Sequence, residues 1–385
     1  MPEFLDLIES IRADEASSAK LFGDAGRGVR RGSDNPKYKM ALAEAATFIG
    51  EVFSGRRPLS ALQEAMSTSD FPLLFGAVLD RQLLAAYKEW PTNIQQIART
   101  STVRDFRTVE RFAVDGGGAV LDKVKELTEY PEARLSESKY SFKVEKRGRK
   151  LPWSWEAMIN DDLDALKESP NILARAARRS EEKFVTDLYV GSAGPDGTFF
   201  AAGNANIVTA NPALSVTALQ TAFTILAAQK DSDNNPIMID MVYLVVPPAL
   251  EVTARNILNA TQIEAVDAGG TANQRLIVAN WMKNRVQLIV DPWIPLLATS
   301  NQNTSWFLFG SPSAGRPALE FAHLRGHETP EVFVKEPNAR RLGGGPVDPM
   351  DGDFDTDAIE YKVRHVFGGT LMDPKLAVAS NGSGS

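Results

Sequence analysis

The chain has 385 residues, a formal charge of −7, no cysteine, 43 % hydrophobic and 24 % charged residues. That is the composition of a folded globular protein, and its mild acidity argues against a dedicated nucleic-acid-binding domain, which would carry clustered Lys and Arg. Lack of cysteine excludes disulfides, thiolate metal sites and thiol nucleophiles. No apolar run approaches the roughly 20 residues of a membrane helix.

A single core rarely grows past about 250–300 residues, so two sub-domains with extended arms are expected. The opening MPEFLDLIESIRADE lacks the basic start and apolar stretch of a secretory leader. A retained N-terminus and synthesis in a cytoplasm are therefore expected. Residues 1–66 read as a mostly helical arm. Leu5, Ile8 and Ile11 form a helical stripe, residues 24–34 a Gly- and Arg-rich link, and Lys39 to about Phe53 a second helix. Ser60 and Gln63 offer a capping box for a third. Charges in this arm balance, which suits lying along protein better than along a phosphate backbone. The spacing of Leu74, Val78, Leu79, Leu83 and Tyr87 predicts a helix that Pro91 stops.

Residues 98–152 change character. Phe106 and Phe112 sit among alternating charges, Asp115-Gly116-Gly117-Gly118 reads as a turn, and Tyr140–Glu145 is a period-two strand ending in the basic run 146–150. A charged two-stranded ribbon has little apolar surface to hold it shut, so support from another subunit is expected. Ser169-Pro170 predicts the start of the longest helix, with Ser169 as N-cap and Pro170 in its first turn. Leu173, Ala176, Ala177, Phe184, Leu188 and Tyr189 make its apolar face, and Gly191 ends it.

Residues 215–335 read as α/β. Ser215 caps a helix through Leu226. Ile237–Val246 is an apolar run expected to be buried on both faces. A helix follows from Pro248 to Leu258, and strands are predicted at 286–290, 306–309, 319–324 and 332–334. A last strand runs from Ala358 to about Phe367, followed by Leu376–Ala379 and a flexible SNGSGS tail.

Catalytic motifs are missing. The chain has no H-E-x-x-H, no G-x-S-x-G elbow and no Walker loop; of its three histidines, His323, His327 and His365, the first two are four apart, but Gly326 between them and the predicted strand argue against one helical metal-binding face. Asp351, Asp353, Asp355 and Asp357 alternate as calcium ligands do. However, the sixth loop position is Thr356 instead of Gly and the twelfth is Lys362 instead of Glu, so a solvated acidic loop is the favoured reading. Lys146, Arg147 and Arg149 lack an aromatic platform, which favours inter-subunit ion pairs over nucleic-acid contact. Trp153, with Trp155, is expected to anchor the ribbon base. No catalytic residue and no cofactor are expected.

The order of these parts resembles the major capsid proteins of tailed bacteriophages, the Hong Kong 97-type family. The stretch carrying the resemblance is Tyr140 to Leu188, in which a strand leads through Trp153 and Asn160-Asp161-Asp162-Leu163 into the long helix. Thr68-Ser69-Asp70-Phe71-Pro72 and Tyr361–Gly369 look familiar as well. The resemblance implies an α+β fold with an N-terminal arm (1–66) and a peripheral domain (67–97, 153–210 and 317–380) containing a spine helix at 170–190. It also implies an extended β-ribbon loop (98–152) and an axial α/β domain (211–316). It implies a shell protein that self-assembles as hexamers and pentamers into an icosahedral capsid. The capsid would enclose double-stranded DNA without sequence-specific binding, and the shell would form in the bacterial host cytoplasm. A separate scaffolding protein, a portal and decoration proteins are the implied partners, with no membrane. Phe106, Phe112, Phe142, Lys146, Arg147, Arg149, Trp153, Asn160, Asp161 and Asp162 are the candidate assembly contacts. An encapsulin-like cargo compartment shares the implied fold and is the runner-up. A cytosolic hydrolase using Asp and Glu is the reading from another class.

Overall fold

The structure is a computed structural model. It describes residues 92–115, 136–154, 163–231, 234–237, 239, 241–266, 275–314, 316–335 and 354–384, with short pieces at 47–48, 51, 56, 83–85 and 87–88. The expected arm and the Gly116–Gly118 turn lie outside the described residues, except that 47, 48 and 51 are helical and 56 lies in a bend. The described strands are β1 Ala98–Val103, β2 Val109–Asp115, β3 Ser136–Phe142, β4 Val144–Ser154, β5 Val190–Gly191, β6 Gly194–Pro195, β7 Val242–Val246, β8 Gln262–Val266, β9 Arg275–Ala279, β10 Val286–Val290, β11 Trp306–Gly310, β12 Leu319–Leu324, β13 Glu331–Val334, β14 Ala358–Leu371 and β15 Ala377–Ser380. The described α-helices are α1 Ile94–Ile97, α2 Leu163–Tyr189, α3 Val216–Ala227, α4 Glu251–Asn259 and α5 Ile294–Leu297.

The chain divides into two compact units. One comprises residues 1–91, 146–178 and 329–365, the other residues 92–145, 179–328 and 366–385. In the first, Leu83, Tyr87, Leu173, Ala174, Ala177 and Val363 form a buried cluster. The Arg178 guanidinium lies 3.5 Å from the Tyr87 ring centroid, and its Nε donates to the Tyr87 carbonyl at 2.9 Å. β13 pairs antiparallel with residues 361–364 of β14. Lys362 and Arg364 lie over the Phe333 ring, and Arg364 pairs with Glu331.

The second unit is built on the sheet β10-β7-β11-β15. Both of its faces are covered. Tyr243, Val245, Phe307, Phe309, Ala377 and Ala379 join the cluster containing Val185 and Tyr189 of α2 and Phe199 and Phe200. Val242, Leu244, Trp306, Leu308 and Val378 alternate onto the other face, against Leu219 and Leu226 of α3 and Leu258 of α4. This double burial is why 242–246 and 306–310 read as unbroken apolar runs rather than alternating ones. Ser215 caps α3 as expected, its Oγ accepting from the Ala218 N–H at 3.1 Å.

Four expectations are corrected. The long helix begins at Leu163, so Ser169 is not its N-cap and Pro170 lies inside it. Leu163, Ala165, Leu166, Lys167 and Glu168 ahead of the proline favour helix, against the lost hydrogen bond and the carbonyl clash that a proline inside a helix brings. The C-terminal strand 377–380, assigned with the peripheral segments, pairs instead with β11 (Phe307↔Ala379), where a fully buried strand needs a partner on each side. The tail is pinned: the Gly384 N–H donates to the Asn211 carbonyl at 2.8 Å and the Asn381 N–H to Asn211 Oδ1 at 3.2 Å. Gly382 takes φ +66°, where a side chain would strike the Thr304 carbonyl. Finally, the stretch 98–152 is not ribbon throughout. β1 runs parallel to β12 (Ala98↔Leu319), β4 pairs with β14, and the two-stranded part is β2 with β3.

Candidate assembly surface

β2 and β3 pair antiparallel with Val109 opposite Phe142, Glu110 opposite Ser141, Arg111 opposite Tyr140 and Phe112 opposite Lys139. Opposed residues share a face, so strand alternation gives this ribbon two different sides. Val109, Arg111, Tyr140 and Phe142 are buried or half-buried, whereas Glu110, Phe112, Lys139 and Ser141 are exposed. Glu110 and Lys139 pair diagonally across the exposed side at 2.6 Å. Beside them the Phe112 ring is 57 % exposed, and Phe106, in the bend before β2, is 53 % exposed.

The covered side rests on one face of β1 and β12. Val103, Phe142, Val144, Ala322, Leu324 and Val366 form an apolar seam there, with Val109 packed against it. At its edge is an ionic cluster around a buried carboxylate. Glu320 is 0 % exposed. Its Oε2 accepts from Arg99 Nη2 at 2.6 Å, and its Oε1 accepts from Ser101 Oγ at 2.6 Å and from Arg111 Nε at 2.9 Å. Arg111 Nη2 also reaches Ser101 Oγ at 3.3 Å. A carboxylate taken out of water needs such charge-assisted donors.

A second buried polar cluster ties α2 to the end of β10. The hydroxyls of Thr186 and Tyr189 both donate to Asp291 Oδ2 at 2.6 Å, and the Trp293 N–H donates to Oδ1 at 2.8 Å. Burial pushes the Asp291 carboxyl above its ordinary range, against the three hydrogen bonds. Burial, with the neighbouring Asp291 charge, raises the Tyr189 phenol well above its usual value. Burial alone raises the phenol of Tyr361.

The candidate contacts found from sequence fall into three groups. Phe106 and Phe112 are exposed on the ribbon. Phe142 is not a free surface residue: it faces inward, 5 % exposed, with the Arg111 guanidinium 6.0 Å from its ring centroid. Lys146 and Arg149 are exposed and Arg147 is half-buried, all on β4, within a sheet strand rather than at a ribbon end. Trp153 belongs to β4, but its side chain, like Asn160, Asp161 and Asp162, lies outside the described residues. Of the acidic run, Asp355 and Asp357 are exposed, and Asp351 and Asp353 are outside the described residues. The ionic cluster escaped sequence reading. Its one signal was a lone carboxylate in the apolar strand LEFAHL; its partners Arg99 and Arg111 stand 221 and 209 positions away. An open groove of about 420 Å³ lies between α3 and Trp281, where Phe223, Ile237, Ile239 and Arg285 are among the described lining residues.

These features describe a two-stranded ribbon with one side packed on the chain's own sheet and the other exposed. Residues 138–380 match the family described as "Phage capsid protein", and the chain belongs to that family. It is a major capsid protein, a structural component of the virion. Among solved structures it is similar to the capsid of Ralstonia phage GP4 (10 % identity, 74 % of this chain and 86 % of that chain, TM-score 0.47). It is also similar to the capsid of cyanophage Pam1 (11 %, 79 % and 93 %, TM-score 0.45) and to a chain of Gordonia phage Cozz (15 %, 76 % and 88 %, TM-score 0.43). No curated protein matches the chain.

Proposed function

We propose that this capsid protein builds an icosahedral shell of hexamers and pentamers around double-stranded DNA, with the β2–β3 ribbon bridging neighbouring subunits. The observation that carries this reading is the two-sided ribbon, whose open face holds Phe112 beside the Glu110–Lys139 pair. Exposed aromatic rings rimmed by charge are what a partner surface covers. Heterologous contacts of this kind repeat under symmetry to close a shell. The paired charges also guard a strand edge against uncontrolled strand addition.

In the same reading α2 is the spine helix, the segments around the β10-β7-β11-β15 sheet form the axial part, and residues 1–66 form the arm. Assembly takes place in the host cytoplasm with a scaffolding protein and a portal. A subunit of net charge −7 would not grip the polyanionic genome during filling. Electron microscopy of the purified protein, with sedimentation velocity, tests the proposal. Uniform icosahedral particles or capsomer rings are expected. DNA-free particles loaded with a co-purifying enzyme would transfer the chain to the cargo-compartment reading. A homogeneous monomer that scaffold cannot assemble would overturn both.

A further inference from the structure

The geometry points to Glu320 as a positioning residue. By gripping Arg111 of β2 and Arg99 of β1, its buried carboxylate holds the ribbon in the pose from which a second copy engages Phe112. This inference rests on the reading that the ribbon bridges subunits.

Three observations lead here. First, Glu320 is fully buried in a strand whose neighbours Leu319, Phe321 and Ala322 are apolar and buried. Only the carboxylate is buried, Arg99 and Arg111 being 42 % and 32 % exposed; replacing a buried ionic contact by apolar residues is often neutral or stabilising, and its best-attested use is to specify one arrangement. Stability alone would be served as well by a leucine.

Second, the contacts are directional. Arg111 donates through Nε to Glu320 and through Nη2 to Ser101, and two bonds from one planar group fix its orientation as well as its distance. The apolar seam alongside, from Val103 to Val366, is non-directional and would let the ribbon shift upon it.

Third, the gripped residue is the immediate neighbour of the exposed one. Arg111 faces inward and Phe112 outward, and strand alternation carries the orientation of the first over to the second. Moving Arg111 re-aims the ring that the neighbour must meet.

The test uses the full chain in three variants. Glu320→Gln keeps the shape but turns an amide donor toward the guanidinium groups. Amide hydrogen exchange in residues 109–115 and 136–142 should speed at least about tenfold, with 286–290 and 306–310 unchanged. The triple variant Arg99→Met, Arg111→Met, Glu320→Leu should recover the wild-type urea midpoint yet give no particles, or particles of scattered diameter under electron microscopy. Arg111→Lys keeps the charge and loses the fork. It should leave the midpoint unchanged while the ribbon strands exchange faster, and it carries the test should the triple variant fail to fold.

Unaltered ribbon exchange in Glu320→Gln or in Arg111→Lys, or wild-type particles from the triple variant, overturns the assignment. A Phe112→Ser control separates this from failure of the bridging reading. If Phe112→Ser abolishes assembly while the triple variant assembles normally, only the role of Glu320 is lost. If Phe112→Ser also assembles normally, the bridging reading falls and the positioning role with it.

Discussion

Replacing Phe112 by serine should leave folding untouched and weaken assembly. The ring is 57 % exposed on the open side of the ribbon. A phenylalanine presents about 200 Å², so docking it against a neighbour hides about 100 Å². At about 25 cal/mol per Å², that burial contributes about 2.5 kcal/mol for each ribbon contact. A loss of this size raises the subunit concentration at which shells first form by about 70-fold. The assay is light scattering across a concentration series, with particles counted by electron microscopy and urea unfolding of the unassembled subunit run in parallel. An exposed substitution should move the unfolding free energy by no more than about 0.5 kcal/mol. Shells of wild-type form at the wild-type threshold would refute the docking of this face. A large loss of subunit stability would refute its exposure.

Three further predictions concern the subunit itself. A Cβ at Gly368 would strike the Lys143 carbonyl, and one at Gly369 the Glu320 carbonyl. Gly368→Ala should therefore destabilise the subunit by about 3 kcal/mol in urea unfolding, and a change under about 0.5 kcal/mol would show that the close strand approach is absent. Because burial raises the Asp291 pKa, the stability that group contributes is fully present below its unfolded value of about 3.9 and is lost as pH rises through the folded value. On acidification from neutral pH to about pH 4, the wild type should gain stability relative to Asp291→Asn, and a constant difference would contradict the raised value. The raised Tyr189 phenol acts in the same sense at the alkaline end. Its contribution is whole below about pH 10 and lost above it, so Tyr189→Phe should flatten the alkaline fall in stability measured by urea unfolding.

Much of the candidate surface was legible in the linear pattern. Period-two charge around Phe106 and Phe112 marked a ribbon with little apolar surface to close it, and both rings are exposed. Alternation announces two faces but does not say which one is covered. Phe142 therefore read as a contact and is buried against the chain's own sheet. Glu320 could be noticed as a charge in an apolar strand. Its meaning depends on two arginines more than 200 positions away, beyond the reach of any local period.

The sequence by itself determined the elements whose causes are local. Ser215 starts a helix with its own hydroxyl, and the apolar run 237–246 announced a strand covered on both sides, which the fold forms over Val242–Val246. The tertiary structure alone decided what pairs with what. It seated 377–380 beside β11, pinned the glycine-rich tail on Asn211 and carried the long helix through Pro170. It also brought Arg99, Arg111 and Glu320 together at the ribbon root. Capping and periodicity act over a few residues and leave their mark in order along the chain. Strand partnership and buried charge pairing are set by which surfaces remain to be covered once the chain has folded back on itself, and those surfaces come from residues far apart in sequence.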